Sequence, residues 1–110
     1  MRTIYKYALP FGDEVSVQMP KDASILKFGI QSVIDSKPEI VVWSIVDTEA
    51  EMEERRFRIV GTGHPLEDNT IGHVLEDYTT AHGSYEWVYE YFDTLFDRRF
   101  VWHIFVGYKQ

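Results

Sequence analysis

The run Gly61-Thr62-Gly63-His64-Pro65 holds the densest set of residues that could touch a ligand. Glycines one residue apart let the backbone take positive φ and come close to a bound group. Successive N–H groups in such a turn can form an anion-binding nest. Arg56 and Arg58, just upstream, would add charge-assisted contacts to a phosphate, and His64 would titrate near neutral pH. The same residues also make a tight turn at a strand end, with Pro65 stopping the ladder. Two phosphate-binding loops are excluded by pattern. A Walker A loop needs Gly-Lys-Ser/Thr after a four-residue gap, and the dinucleotide fingerprint needs a third glycine.

Other chemistries are thinly supplied. The histidines His64, His73, His82 and His103 include no pair at the short spacing that puts two ligands on one strand or helix face, so no metal site is expected. His103 lies in an apolar run and reads as a core or rim histidine with a hydrogen-bond partner. No Gly-x-Ser-x-Gly elbow is present, and the absence of cysteine removes thiol nucleophiles, disulfides and thiolate ligands. The chain is therefore expected not to be an enzyme and to carry no cofactor. Two features suit protein recognition instead. Glu49, Glu51, Glu53 and Glu54 form an acidic run that reads either as a solvated connection or as a patch for a basic groove. Trp87 and Tyr91, four residues apart, would be surface neighbours on a helix and could anchor an interface.

The elements that must position these residues are mostly strands. Ile4–Leu9 and Val15–Met19 alternate with period two around a turn at Pro10 to Glu14, which predicts a hairpin. Ile25–Gln31 is a third strand. Ile40–Val46, almost wholly apolar and β-branched, predicts a central strand buried on both faces. Arg56–Ile59 predicts a strand with one wet face, and Phe100–Tyr108 a closing strand. Between them, Ile71, Val74, Leu75 and Tyr78 leave Thr70–Thr80 open between helix and strand. Tyr85, Val88, Tyr89, Phe92, Leu95 and Phe96 share one helical face behind a Ser84 N-cap, which predicts a helix over 84–96. The same stretch also alternates through Tyr85, Trp87, Tyr89 and Tyr91, as a strand would. The expected fold is α+β: a mainly antiparallel sheet of about five to seven strands with one helix in the C-terminal third packed on it.

The 110 residues fit a single domain, 1–110, and 45% hydrophobic content supplies its core. A formal net charge of −7 argues against direct nucleic-acid binding and favours basic partners. No apolar run is long enough to span a membrane. An apolar sheet face left uncovered by the helix would be hidden by a homodimer.

Phe57-Arg58-Ile59-Val60-Gly61-Thr62-Gly63-His64-Pro65 follows Trp43-Ser44-Ile45-Val46-Asp47 and precedes the aromatic run Phe100 to Phe105. Together with Tyr5-Lys6-Tyr7 and Met19-Pro20-Lys21, this order resembles an uncharacterised family of small tailed-phage proteins. The likeness covers about residues 4 to 73 and 100 to 106. It implies a viral origin and the cytoplasm of an infected host cell, and it supplies no mechanism. The expected function is a non-enzymatic counter-defence inhibitor whose acidic side chains occlude a basic surface on a host protein. The alternative is a nucleotide or anion binder using the Gly61–His64 loop with Arg56 and Arg58, and a further one is a minor virion component.

Overall fold

The computed structural model describes residues 1–10, 14–32, 38–66, 87–97 and 100–109. Among these residues the fold is all-β, with seven strands and no helix. They are β1 (Arg2–Leu9), β2 (Glu14–Pro20), β3 (Ser24–Gln31), β4 (Glu39–Asp47), β5 (Met52–Gly61), β6 (Trp87–Asp97) and β7 (Phe100–Lys109). They form two antiparallel sheets, ordered β1-β4-β3 and β2-β5-β7-β6. The sheets face each other, with β1 against β2 and β3 against β6. No described helix is long and apolar enough to cross a membrane.

The strands follow from alternation. Each sheet turns one row of apolar side chains inward: Ile40, Val42, Val46 and Phe28 from the first, Val15, Met19, Phe57, Ile59, Ile104 and Val106 from the second. Phe28 joins the layers, standing edge-on to Phe57 at 5.7 Å and to Phe92 at 5.3 Å between ring centroids. Burying side chains of this size stabilises the fold by about 1.5–3 kcal/mol each. The apolar run Ile40–Val46 is the central strand of the three-stranded sheet, as expected. Its first half is buried on both faces, whereas Ile45 faces solvent.

The predicted helix over 84–96 is overturned, and with it the α+β class. Residues 87–97 are the strand β6, paired along β7 from Trp87↔Lys109 to Asp97↔Phe100. The register slips by one residue between Tyr91 and Asp93, which makes Phe92 a bulge. A bulge flips the phase of side-chain alternation. Val88 precedes it, Phe92 lies in it and Leu95 follows it, and Phe92 and Leu95 both pack on the core. Their spacing (i, i+4, i+7) thus imitates one helical face while the backbone stays extended. Aromatic and β-branched residues, which fit a pleated surface, then decide for strand. Ser84 and Thr70–Thr80 lie outside the described residues.

The expected β1–β2 hairpin does not form either. β1 pairs with β4, and β2 pairs with β5 in the other sheet. Both strands carry one apolar row, and facing the rows across the core buries more surface than laying them side by side. β2 is an edge strand. Lys21 N–H donates to the Glu51 carbonyl at 2.6 Å, so odd residues of β2 bond to β5 and Pro20 turns its N–H-less nitrogen away from the sheet.

Candidate functional site

The outward face of the second sheet is where sequence-predicted and unforeseen residues meet. Side chains of β5 alternate, so Phe57 and Ile59 enter the core while Arg56, Arg58, Val60 and Thr62 point outward. Register sets Arg58 opposite Phe105 and Val60 opposite His103 on β7. Beyond them on β6, Tyr91 stands opposite Phe105 and Thr94 opposite His103. On the other side Glu14 stands opposite Arg58, and Ser16 opposite Arg56.

Half of this face is a closed ionic and aromatic layer. Glu14 accepts from Arg56 Nη1 at 3.1 Å and from Arg58 Nη2 at 2.8 Å. Glu54 accepts from Arg56 Nε at 3.1 Å and from the Ser16 hydroxyl at 2.6 Å. The guanidinium of Arg56 lies 4.9 Å from the Trp87 ring centre, and that of Arg58 lies 4.8 Å from Tyr89. Each such stack contributes about 0.5–2 kcal/mol. The layer is tight, with Arg58 only 4% exposed, Trp87 6% and Tyr89 0%. Burial works against the charge of Arg56, but the Glu54 and Glu14 carboxylates more than offset it and hold its pKa above the usual value. Burial, with the Glu14 charge second, raises the Tyr89 phenol above its ordinary pKa, against opposing pulls from Arg58 and Arg56.

The other half is an open hollow of about 400 Å³ at the Gly61–Leu66 end. Val60, Leu66, Tyr91 and Phe105 give it apolar walls, and Thr62, His64 and His103 bring polar edges. His103 is held at both ring nitrogens. Thr62 Oγ1 lies 2.7 Å from Nε2, and the Tyr91 hydroxyl lies 2.8 Å from Nδ1. Tyr91 also hydrogen-bonds the Thr94 hydroxyl, so four side chains form one chain of donors and acceptors. A threonine beside a histidine has the outline of an activated nucleophile. Here the second ring nitrogen meets the Tyr91 hydroxyl rather than the carboxylate that orients the histidine of a catalytic triad. The arrangement fixes a ring in the floor of a hollow.

The loop glycines have separate reasons. His64 N–H donates to the Gly61 carbonyl at 3.0 Å, closing a turn whose third residue, Gly63, has φ of 87°. That conformation favours glycine. At Gly61 a Cβ would stand 2.8 Å from the His64 ring, which folds back over it and packs edge-on against Trp102.

The expected anion site is only half assembled. Gly61, Thr62, Gly63 and His64 do line a hollow, but Arg56 and Arg58 lie outside it, engaged with Glu14, Glu54 and the aromatic rings. The acidic run is also dispersed. Glu49 pairs with the N-terminal amine at 3.7 Å, Glu53 accepts from Asp22 N–H at 3.1 Å, Glu54 belongs to the arginine layer, and Glu51 is exposed. Trp87 is buried beneath Arg56, whereas Tyr91 is exposed at the hollow. On a strand the two lie on one face some ~13 Å apart with Tyr89 between them, not as helix neighbours. The sequence reading missed Glu14, the counter-ion shared by both arginines, and Tyr91 and Thr94 as partners of His103. Cross-strand register alone brings these groups together. Among the described residues, no three His, Asp or Glu side chains converge as a metal site would require.

Comparison with known proteins gives one family. No curated protein and no solved structure matches the chain. A family model described as Domain of unknown function (DUF7352) matches residues 1–110. With the whole length covered, the chain belongs to the DUF7352 family.

Proposed function

We propose that the chain is a non-enzymatic binding protein that works through the hollow bounded by Gly61–Leu66, Tyr91, His103 and Phe105. The observation that carries this reading is the hollow's lining. Its walls are apolar and aromatic, and among the described residues its polar edge is hydroxyl and imidazole, with no arginine or lysine. Such a site takes a flat, uncharged group with one or two hydrogen-bonding atoms. The occupant that fits is an aromatic or aliphatic side chain of a partner protein. The net charge of −7 would steer basic partners toward the molecule. An anionic ligand is disfavoured, because the cations described on this face, Arg56 and Arg58, already serve Glu14 and Glu54. That the partner is a host protein, met in the cytoplasm of an infected cell, rests on the phage resemblance.

Fragment titration of the isotope-labelled chain, followed by amide NMR, tests this. Indole, adenosine and AMP serve as probes. Indole should shift the amides of Gly61 to His64, Leu66 and Phe105, and AMP should bind no tighter than adenosine. A phosphate-dependent gain, or shifts centred elsewhere, would refute the proposal. Tyr91→Ala, which removes one wall, should abolish the indole response.

A further inference from the structure

Among the described residues the two sheets have four edges, and these are not equally protected. Natural proteins blunt edges with bulges, proline and charge, because an open row of N–H and C=O groups templates another strand. β3 is bulged between Ile25 and Lys27, and β6 between Tyr91 and Asp93. β2 carries Pro20 on its open side and the charge of Glu14. β1 has neither bulge nor proline, and its mid-strand charge, Lys6, reaches away from the open edge to the Gln31 side chain on β3 at 2.8 Å. Its register with β4 runs unbroken from Arg2↔Asp47 to Leu9↔Ile40. Among the described residues no strand pairs with its other side. Near its middle both faces reach the surface, with Ile4 56% and Tyr5 44% exposed, while Tyr7 and Leu9 further along pack on the core.

The backbone direction of β1 is fixed by one bond. Thr48 N–H donates to the Met1 carbonyl at 2.9 Å, which makes that pair a hydrogen-bonded one. Odd residues of β1 therefore bond to β4. Arg2, Ile4, Lys6 and Ala8 turn their N–H and C=O groups to the open edge.

The geometry points to a second copy of this chain as the occupant, its β1 antiparallel to the first about a two-fold axis at Tyr5. A two-fold axis perpendicular to the sheet must set outer-face residues opposite outer-face residues, which restricts the centre to a residue rather than a peptide bond. Centring on Lys6 would oppose two ammonium groups and is unfavourable. Centring on Tyr5 puts Lys6 opposite Ile4 and Arg2 opposite Ala8. The outward-turned residues then form hydrogen-bonded pairs. Tyr5 meets its own copy in a non-hydrogen-bonded pair, where side chains approach most closely, and aromatic pairs are favoured there. The two three-stranded sheets become one continuous six-stranded sheet. This edge lies on the sheet opposite the proposed hollow, so neither reading depends on the other.

Cysteine crosslinking of the full chain decides the register, because the chain has no cysteine of its own. In Tyr5→Cys the paired Cα atoms would lie about 4.5 Å apart, within disulfide range, whereas in Lys6→Cys they would lie about 8 Å apart, beyond it. Mild oxidation should convert Tyr5→Cys to a covalent dimer and leave Lys6→Cys a monomer. Sedimentation velocity of the unmodified chain should show a concentration-dependent dimer. Ile4→Pro removes one open-edge N–H per copy, two bonds per dimer, and should weaken association about thirtyfold. Equal crosslinking of the two cysteine variants, or an unmodified chain that stays monomeric up to about 200 μM (well above the range of specific dimers), would overturn the inference. If Ile4→Pro fails to fold, the cysteine pair still decides it.

Discussion

Gly107 sits under the ring of Tyr89, and replacing it with alanine tests whether the arginine–aromatic layer is as rigid as its burial implies. A Cβ at Gly107 would stand 2.8 Å from the Tyr89 ring and 3.0 Å from the Arg56 carbonyl oxygen. Neither neighbour can retreat easily. The carbonyl is backbone, and Tyr89 is fully buried with Arg58 stacked on it. Overpacking of this kind costs about 1–3 kcal/mol. The lost freedom of the unfolded chain returns about 0.4–1 kcal/mol. The net destabilisation should be about 1–2 kcal/mol, a fall in Tm of about 4–10 °C for a domain of this size. Gly29→Ala is the matched control. Its Cβ would meet the Trp43 ring at the same 2.8 Å, but that ring tip belongs to a partly exposed side chain that can swing aside. Its net effect should stay within about 0.5 kcal/mol. Urea denaturation of both variants, followed by tryptophan fluorescence, measures the difference. If Gly107→Ala proves neutral or stabilising, or the two variants fall equally, the layer is not the rigid element described above.

Two further outcomes are expected. Ser16 is the largest cause that holds the Glu54 carboxyl below its ordinary pKa, with Arg56 next, so Ser16→Ala should raise the Glu54 midpoint in a carboxyl NMR titration. A depressed carboxylate stabilises the fold above its unfolded pKa and loses that contribution as pH falls through the folded one, so acid unfolding of Ser16→Ala should begin at higher pH, and an unmoved Glu54 midpoint would contradict the assignment. Gly63→Ala meets no neighbouring atom but must hold φ of 87°, which should cost about 1–2 kcal/mol by strain alone, read as a lower denaturation midpoint with an unchanged slope.

The strands were legible because alternation is a local property. Val15, Val17 and Met19 on β2, and the apolar run of β4, announce themselves within a few residues. The bulge at Phe92 was not legible. It turns period two into a spacing that reads as a helix, and only the partner strand β7 reveals the slipped register. Strand partnership was illegible for a related reason. β1 and β2 read as a hairpin by nearness in sequence, but burial of two apolar rows is satisfied better by opposing them across the core.

The site divides the same way. The Gly61–His64 turn and its dependence on glycine could be read from residue types, because a positive φ is a demand on one residue. The fate of Arg56 and Arg58 could not, since nothing near them in the chain names Glu14 as their counter-ion or Trp87 and Tyr89 as their cover. By itself the sequence determined a strand-rich, cysteine-free, acidic chain with a tight glycine turn. The tertiary structure alone decided which charges are neutralised and which end of the sheet is left hollow. Side-chain chemistry is carried by each residue, whereas pairing across strands is set by register between segments far apart in the chain.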